Sequence, residues 1–323
     1  MEALHNEEVR IAGNVTLAGT LTFPDMERGE VGYPAVLILP GTGSLNRDGN
    51  DEKGKMPLNL YRELAEYMTS LGFVTLRYDK RGVGASEGKT YETGMWDLVD
   101  DAERAVEFLR EHPQVNADKV FVLGHSEGTI LATALNARNP VSGLVLLAGS
   151  GTTLDSALKM QQELAYSELE KLTGFKGFLI NKFKMTDKLR KKNEKFFEKI
   201  LNSDRDVMRM NFVRVSSKWF REHFTYDIVA DYEKITCPVL AITGKKDFQA
   251  DYRALETLSK YIHSPLEIHV IETMNHGLKE QKEDVSILDA KKLFKADIGK
   301  DLHSELKLHL SNWLLFQMGK KLA

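Results

Sequence analysis

A chain of 323 residues, 42% hydrophobic and 28% charged, holds enough apolar material for a large soluble core. Its net charge of −3 creates no global field that would favour nucleic acid or an anionic membrane. The single cysteine, Cys237, excludes an internal disulfide framework, fits a reducing compartment, and reads as a small buried hydrophobe ahead of an apolar run. No stretch approaches the roughly 18 consecutive apolar residues of a membrane span. The opening residues lack the apolar segment of a secretory signal, so a cytoplasmic location is the expectation.

In chain order, Glu8–Ala12 and Val15–Phe23 predict an antiparallel hairpin turning at Gly13-Asn14. A different rhythm follows. Apolar runs at Ala35–Leu39, Phe73–Tyr78, Val120–Leu123 and Leu144–Leu147 alternate with helical stretches at Leu58–Leu71, Met95–Glu111 and Ser126–Ala137. The alternation resumes late, with strands Val239–Thr243 and Leu266–Ile271 and helices Asp251–Tyr261 and Leu302–Phe316. Strands that are apolar throughout belong in a mostly parallel sheet covered by helices on both faces, a doubly wound α/β fold.

Between Thr152 and Tyr232 no strand-like run is visible, and Lys, Glu, Leu and Phe dominate. This predicts a helical cap, residues 152–232, inserted into a core of residues 1–151 and 233–323. The basic run Lys188–Lys192 reads as a solvated helix face. Gly174 and Gly177 predict a break between cap helices. Phe178 and Trp219 are the aromatics expected to line a substrate pocket above the strand ends.

The chemistry centres on Gly124-His125-Ser126-Glu127-Gly128, which follows one strand and opens a helix. Strand, G-x-S-x-G and helix together form a nucleophile elbow: the serine sits on a sharp strained turn, and the flanking glycines let strand and helix approach. The pentapeptide alone is weak evidence, because Gly84-Ala85-Ser86-Glu87-Gly88 matches it too. Ser86 stands several residues beyond its strand and opens no helix, so it reads as a loop serine.

A nucleophilic serine needs a base, and the base an orienting carboxylate. Of nine histidines, His276 lies in a loop just beyond the last strand. His125 is inside the elbow and cannot swing onto its neighbour's hydroxyl. Asp247 closes the segment after the preceding strand, although it could instead cap a following helix, in which case Asp251 is the substitute. The order Ser126, Asp247, His276 is that of nucleophile, acid and histidine on α/β folds.

With these residues, the chain resembles the α/β-hydrolase superfamily over roughly residues 9–151 and 233–323. Leu39-Pro40-Gly41-Thr42-Gly43 resembles the oxyanion loop after the third strand, and Asp79-Lys80-Arg81-Gly82-Val83-Gly84-Ala85-Ser86 resembles the turn after the fourth. The segment Gly41–Asn50 is similar to bacterial esterases of the dienelactone-hydrolase and prolyl-peptidase-like branches. The resemblance implies that the backbone N–H groups of Thr42 and Glu127 form the oxyanion hole. It also implies a carboxylesterase-like reaction (EC 3.1.1) on small to medium acyl chains.

Peptidase, amidase and thioesterase activity use the same machinery and stay open, as does a non-catalytic binding role on the same fold. A nucleotide site is disfavoured: Gly49–Met56 approximates a phosphate loop, but Met56 has no hydroxyl for Mg²⁺, and Asp51 and Glu52 would repel phosphate. No metal motif and no cofactor are expected. The expected partner is a small-molecule ester, with a homodimer left open.

Overall fold

The computed structural model describes residues 4–25, 31–51, 56–210 and 213–319, so residues 52–55 of the phosphate-loop-like stretch lie outside the described residues. The chain begins β1 (His5–Ile11), β2 (Leu17–Phe23), β3 (Tyr33–Leu39), α1 (Leu60–Ser70) and β4 (Val74–Tyr78). It continues through α2 (Met95–Glu111), β5 (Val115–His125), α3 (Glu127–Arg138) and β6 (Gly143–Leu147). An insert follows: α4 (Leu154–Glu170), α5 (Gly174–Lys182), α6 (Met185–Leu201), β7 (Val207–Met210), β8 (Val213–Ser216), α7 (Ser217–Thr225) and α8 (Ile228–Tyr232). The fold closes with β9 (Val239–Gly244), α9 (Leu258–Tyr261), β10 (Leu266–Ile271), α10 (Ala290–Ala296) and α11 (Ser304–Gln317).

Eight strands form one sheet in the order β1-β2-β4-β3-β5-β6-β9-β10. The pairs β1/β2 and β2/β4 are antiparallel, and the remaining pairs are parallel. The uniform hydrophobicity of the central strands has a direct cause, since successive side chains leave opposite faces and both faces are covered. Leu37, Val122, Leu146 and Ala241 pack with α2 and α3 on one face. Ile38, Phe121, Val145 and Leu240 pack with α1 and α11 on the other. This is the α/β-hydrolase architecture.

The insert departs from the helical expectation in one place. Val207–Met210 and Val213–Ser216 pair as a small antiparallel sheet. Each run is four residues long, too short for a strand pattern to stand out from a helical one. The stretch expected as a helix over Asp251–Tyr261 is instead a 3-10 turn, Tyr252–Thr257, followed by the short α9. The basic run lies on α6, where Arg190 pairs with Glu163 and Glu170 across to α4, as a solvated helix face should.

Strands β3, β5, β6, β9 and β10 are consecutive in the sheet and run the same way. Their carboxyl ends therefore lie along one edge. The segments that leave them, beginning at Pro40, Ser126, Ala148, Lys245 and Glu272, gather there, where open α/β sheets form their crevices.

Candidate active site

Ser126 follows β5 directly and adopts φ 56°, ψ −121°, a backbone conformation uncommon for a residue with a side chain. Such strain costs on the order of 1–3 kcal/mol and persists only when the surroundings enforce it. They do so here. The Ser126 N–H donates to Leu147 O at 2.9 Å, and its carbonyl accepts from the Thr129 N–H at 3.0 Å and the Thr129 hydroxyl at 2.8 Å. A Cβ on Gly124 would clash with the Gly128 carbonyl, and one on Gly128 with the Leu39 carbonyl, so both elbow glycines are required by close approach. The rival Ser86 has a different job. Its hydroxyl donates to Asp79 O at 2.6 Å and accepts from Ala18 N–H at 2.9 Å, pinning the turn after β4 to β2.

The loops after β9 and β10 bring Asp247 and His276 together, with Oδ2 2.9 Å from Nδ1. Both residues are buried. The other carboxylate oxygen of Asp247 accepts the N–H groups of Gln249 at 2.7 Å and Ala250 at 2.9 Å. Asp247 thus closes a turn and orients the histidine with separate oxygens. Asp251 is engaged elsewhere, receiving the Arg253 backbone N–H at 3.0 Å and pairing with its guanidinium. Because Nδ1–H faces a carboxylate, the neutral imidazole keeps its lone pair on Nε2. The Ser126 hydroxyl borders the same cavity as His276 and makes no hydrogen bond to a described residue. In unliganded sites such contacts are often long and tighten on substrate binding.

His125 carries a role that sequence reasoning did not anticipate. The Gly41 N–H donates to the Tyr61 hydroxyl at 2.8 Å, so that hydroxyl turns its own proton to His125 Nδ1, 3.2 Å away. Nε2–H of His125 then donates to the backbone carbonyl of His276 at 2.9 Å. Burial, together with the proximity of His276, pushes the His125 pKa down to about 3, which keeps the ring neutral and this chain of bonds intact. The buried relay ties the loop after β3 to the loop that carries His276.

The N–H groups of Thr42 and Glu127 meet no protein acceptor among the described residues. Glu127 begins α3, where the first N–H groups have no partner within the helix and the dipole favours negative charge. Gly41 packs directly on the elbow: a Cβ there would stand 3.0 Å from Ser126 Cβ and 3.5 Å from its Oγ. The Glu127 side chain is buried and accepts from Trp219 Nε1 at 2.6 Å and His223 Nε2 at 3.0 Å. Burial would raise this carboxyl, but the Lys80 charge and those donors outweigh it and hold the pKa at about 2.

A cavity of about 360 Å³ opens over Ser126 and His276. Its walls are mainly apolar, with Leu154, Ala157 and Leu158 of α4 facing Leu45 and Leu58. A smaller cavity of about 190 Å³ shares Thr42, Gly43 and Glu127 with it and is walled by Trp219 and Phe220. Trp219 therefore borders the second cavity and not the one over Ser126. Phe178 lines neither: it is 57% exposed on α5, a short helix whose one buried residue is Gly177. Apolar composition alone could not reveal that α5 leaves its aromatics in solvent.

Among the described residues, one group brings metal-ligating atoms together, Glu267 and His269 of β10 with His309 of α11. The two rings are stacked with centroids 3.5 Å apart and planes 22° from parallel. Their ligand atoms lie within 4.8 Å of one another, and each ring already faces a carboxylate, His269 Nε2 at 2.6 Å from Glu267 and His309 Nε2 at 3.6 Å from Glu305.

A family model described as serine aminopeptidase, S33, matches residues 57–283. The chain is similar to Esterase EstD of Thermotoga maritima, 26% identical over 277 residues, which are 85% of this chain and 60% of that protein. This chain thus spans about 60% of that relative's length. Among solved structures it superposes on Est1E from Butyrivibrio proteoclasticus with ferulic acid bound, at TM-score 0.56 and 19% identity, covering 90% of this chain and 97% of that one. It also superposes on the α/β hydrolase GrgF from Penicillium, at TM-score 0.57 and 17% identity, covering 98% and 99% of the two chains. At these identities the superpositions speak to the fold.

Proposed function

This chain belongs to the serine aminopeptidase S33 family of α/β hydrolases, and from that premise we propose that it cleaves carboxylic esters of small to medium acyl chain through an acyl-enzyme on Ser126. The observation that carries the proposal is the buried 2.9 Å contact of Asp247 with His276, opening on the same cavity as a serine held in elbow geometry. His276 Nε2 takes the proton of Ser126 as Oγ attacks the ester carbonyl carbon. The tetrahedral oxyanion is received by the N–H groups of Thr42 and Glu127. Collapse breaks the bond to the leaving alkoxide, to which His276 returns the proton. Water, deprotonated by His276, then attacks the acyl-enzyme and releases the acid.

The family description makes an aminopeptidase the second reading. That chemistry calls for a free carboxylate to hold the substrate's terminal ammonium group. Among the described residues, the carboxylates lining the main cavity are Glu127 and Asp297, and both are already engaged. Glu127 is bonded as above, and Asp297 accepts from Asn275 Nδ2 at 2.8 Å and Lys300 Nζ at 2.9 Å. Together with the apolar walls, and with an esterase among the relatives, this supports the ester reading.

Residues 152–232 act in this proposal as a cap whose helix α4 limits acyl length. The deciding experiment sets p-nitrophenyl esters of increasing chain length against aminoacyl-p-nitroanilides. The proposal expects turnover of the esters with little or none of the anilides. Preference for the anilides would transfer the assignment to the peptidase reading.

A further inference from the structure

Both polar groups of Gly41 are held by buried side chains. Its N–H donates to the Tyr61 hydroxyl at 2.8 Å, and its carbonyl oxygen accepts from Lys80 Nζ at 2.7 Å. The Gly41 carbonyl and the Thr42 N–H belong to one peptide unit, which is planar and trans, so they point in opposite directions. Whatever fixes the carbonyl therefore fixes the aim of the N–H. Lys80 borders the smaller cavity, while Ser126 borders the larger one, and Thr42 stands between them lining both. A carbonyl drawn toward Lys80 turns the Thr42 N–H away from it, to the side where Ser126 lies.

The same ammonium group stands 3.6 Å from Glu127 Oε2. It thereby spans the two residues whose N–H groups form the proposed oxyanion hole, one through a carbonyl and the other through a carboxylate. Its own placement is firm. Lys80 is 6% exposed, and its neighbours are anchored: Asp79 accepts from Arg47 and from Ala85 N–H, while Arg81 makes a two-pronged bond to Asp101 at 2.6 and 2.8 Å.

We infer that Lys80 is the positioning residue of the oxyanion hole, clamping the Gly41–Thr42 peptide so that the Thr42 N–H faces the developing oxyanion. The inference rests on the acyl-transfer reading above and adds to it a residue outside the triad and its donors. Lys80 lines the smaller cavity and not the one over Ser126. It acts on kcat because a mis-aimed donor is lost only where charge develops.

The test compares wild type, Lys80→Met, Glu127→Gln and the double variant Lys80→Met/Glu127→Gln. The readouts are p-nitrophenyl butyrate kinetics and the rate of fluorophosphonate labelling. Loss of one oxyanion donor lowers kcat by on the order of 10²- to 10³-fold, and mis-aiming it by about 1 Å by roughly 10²-fold. Lys80→Met should show a fall of that order in kcat and in labelling rate, with KM changed less than about threefold. Glu127→Gln should lose less, since its backbone N–H remains. The double variant should stay as slow as Lys80→Met.

Recovery in the double variant would overturn the inference, because Lys80 would then serve only to neutralise Glu127. A wild-type kcat in Lys80→Met, or an equal loss in Glu127→Gln, would overturn it as well. Should Lys80→Met fail to fold for want of a partner to the buried carboxylate, the double variant leaves no unpaired charge and carries the same comparison. Absence of labelling in the wild type would sink the acyl-transfer reading and this inference together. Labelled wild type with unchanged Lys80→Met would sink this inference alone.

Discussion

Asp247 divides its two carboxylate oxygens between Nδ1 of His276, at 2.9 Å, and the backbone N–H groups of Gln249 and Ala250. The second set of bonds leaves the carboxylate no freedom to rotate, so the histidine is offered a single tautomer. Asp247→Asn preserves the shape but presents an amide that can donate, stabilising the ring with its proton on Nε2. In that form His276 is no base toward Ser126. A fall in kcat of roughly 10³- to 10⁴-fold is expected, with an unchanged circular dichroism spectrum. Retention of activity within a factor of about ten would remove Asp247 from the assignment.

Ser86 supplies the complementary control. Its hydroxyl joins Asp79 O to the Ala18 N–H, and it lines neither cavity over the strand ends. Ser86→Ala should leave kcat within about twofold of wild type while lowering stability by about 1–2 kcal/mol, because two partners lose a bond. Urea unfolding and ester turnover measured on one preparation check both halves.

Acid should weaken the fold through the same buried groups. His125 has a folded-state pKa pushed down to about 3 from 6.5, so between those values the unfolded chain binds a proton that the folded chain refuses. Glu127 is depressed from 4.5 to about 2, and its contribution, present above pH 4.5, is lost as pH falls toward 2. Both terms lower stability as pH drops. Replacing the ring by His125→Gln removes the first. The wild type should therefore lose about 1.4 kcal/mol per pH unit more than the variant as pH falls from 6.5 toward 4.5. A stability difference independent of pH would contradict the burial-driven shift.

Chain-length preference should follow α4 and not α5. Ala157 lines the cavity beside Ser126, whereas Phe178 is exposed. Ala157→Phe is expected to lower kcat/KM for p-nitrophenyl octanoate relative to butyrate by about tenfold, in line with the 1–3 kcal/mol scale of pocket discrimination. Phe178→Ala should leave that ratio unchanged. A shift in the ratio on changing Phe178 would put α5 back over the site.

What could be read from the chain follows from where each signal resides. Ser126, Asp247 and His276 each sit within a few residues of an apolar strand, so local pattern and chain order were enough to single them out. The sheet was legible for the same reason, since strands buried on both faces are continuous apolar runs. Lys80 and Tyr61 were not. Their importance lies in contacts with Gly41, 39 and 20 residues away, and a lysine beside an arginine in a loop looks like solvated charge. His125 does not read as the base in the sequence, and its bonds to Tyr61 and His276 need the folded arrangement to appear. The pocket aromatics were misjudged at Phe178 because hydrophobicity does not say which helix faces the cavity. Thr152 to Gln161, a less conspicuous run, supplies that wall instead.

If an acyl group passes through Ser126, that intermediate can be trapped. The protein is mixed with p-nitrophenyl acetate, quenched in acid within the first turnovers, digested and mapped by mass spectrometry. One acetyl group is expected on the peptide containing Ser126, accumulating with the burst of p-nitrophenol and absent from Ser126→Ala. Ester turnover without an adduct on that peptide, or with the adduct on Ser86, would contradict acyl transfer through Ser126.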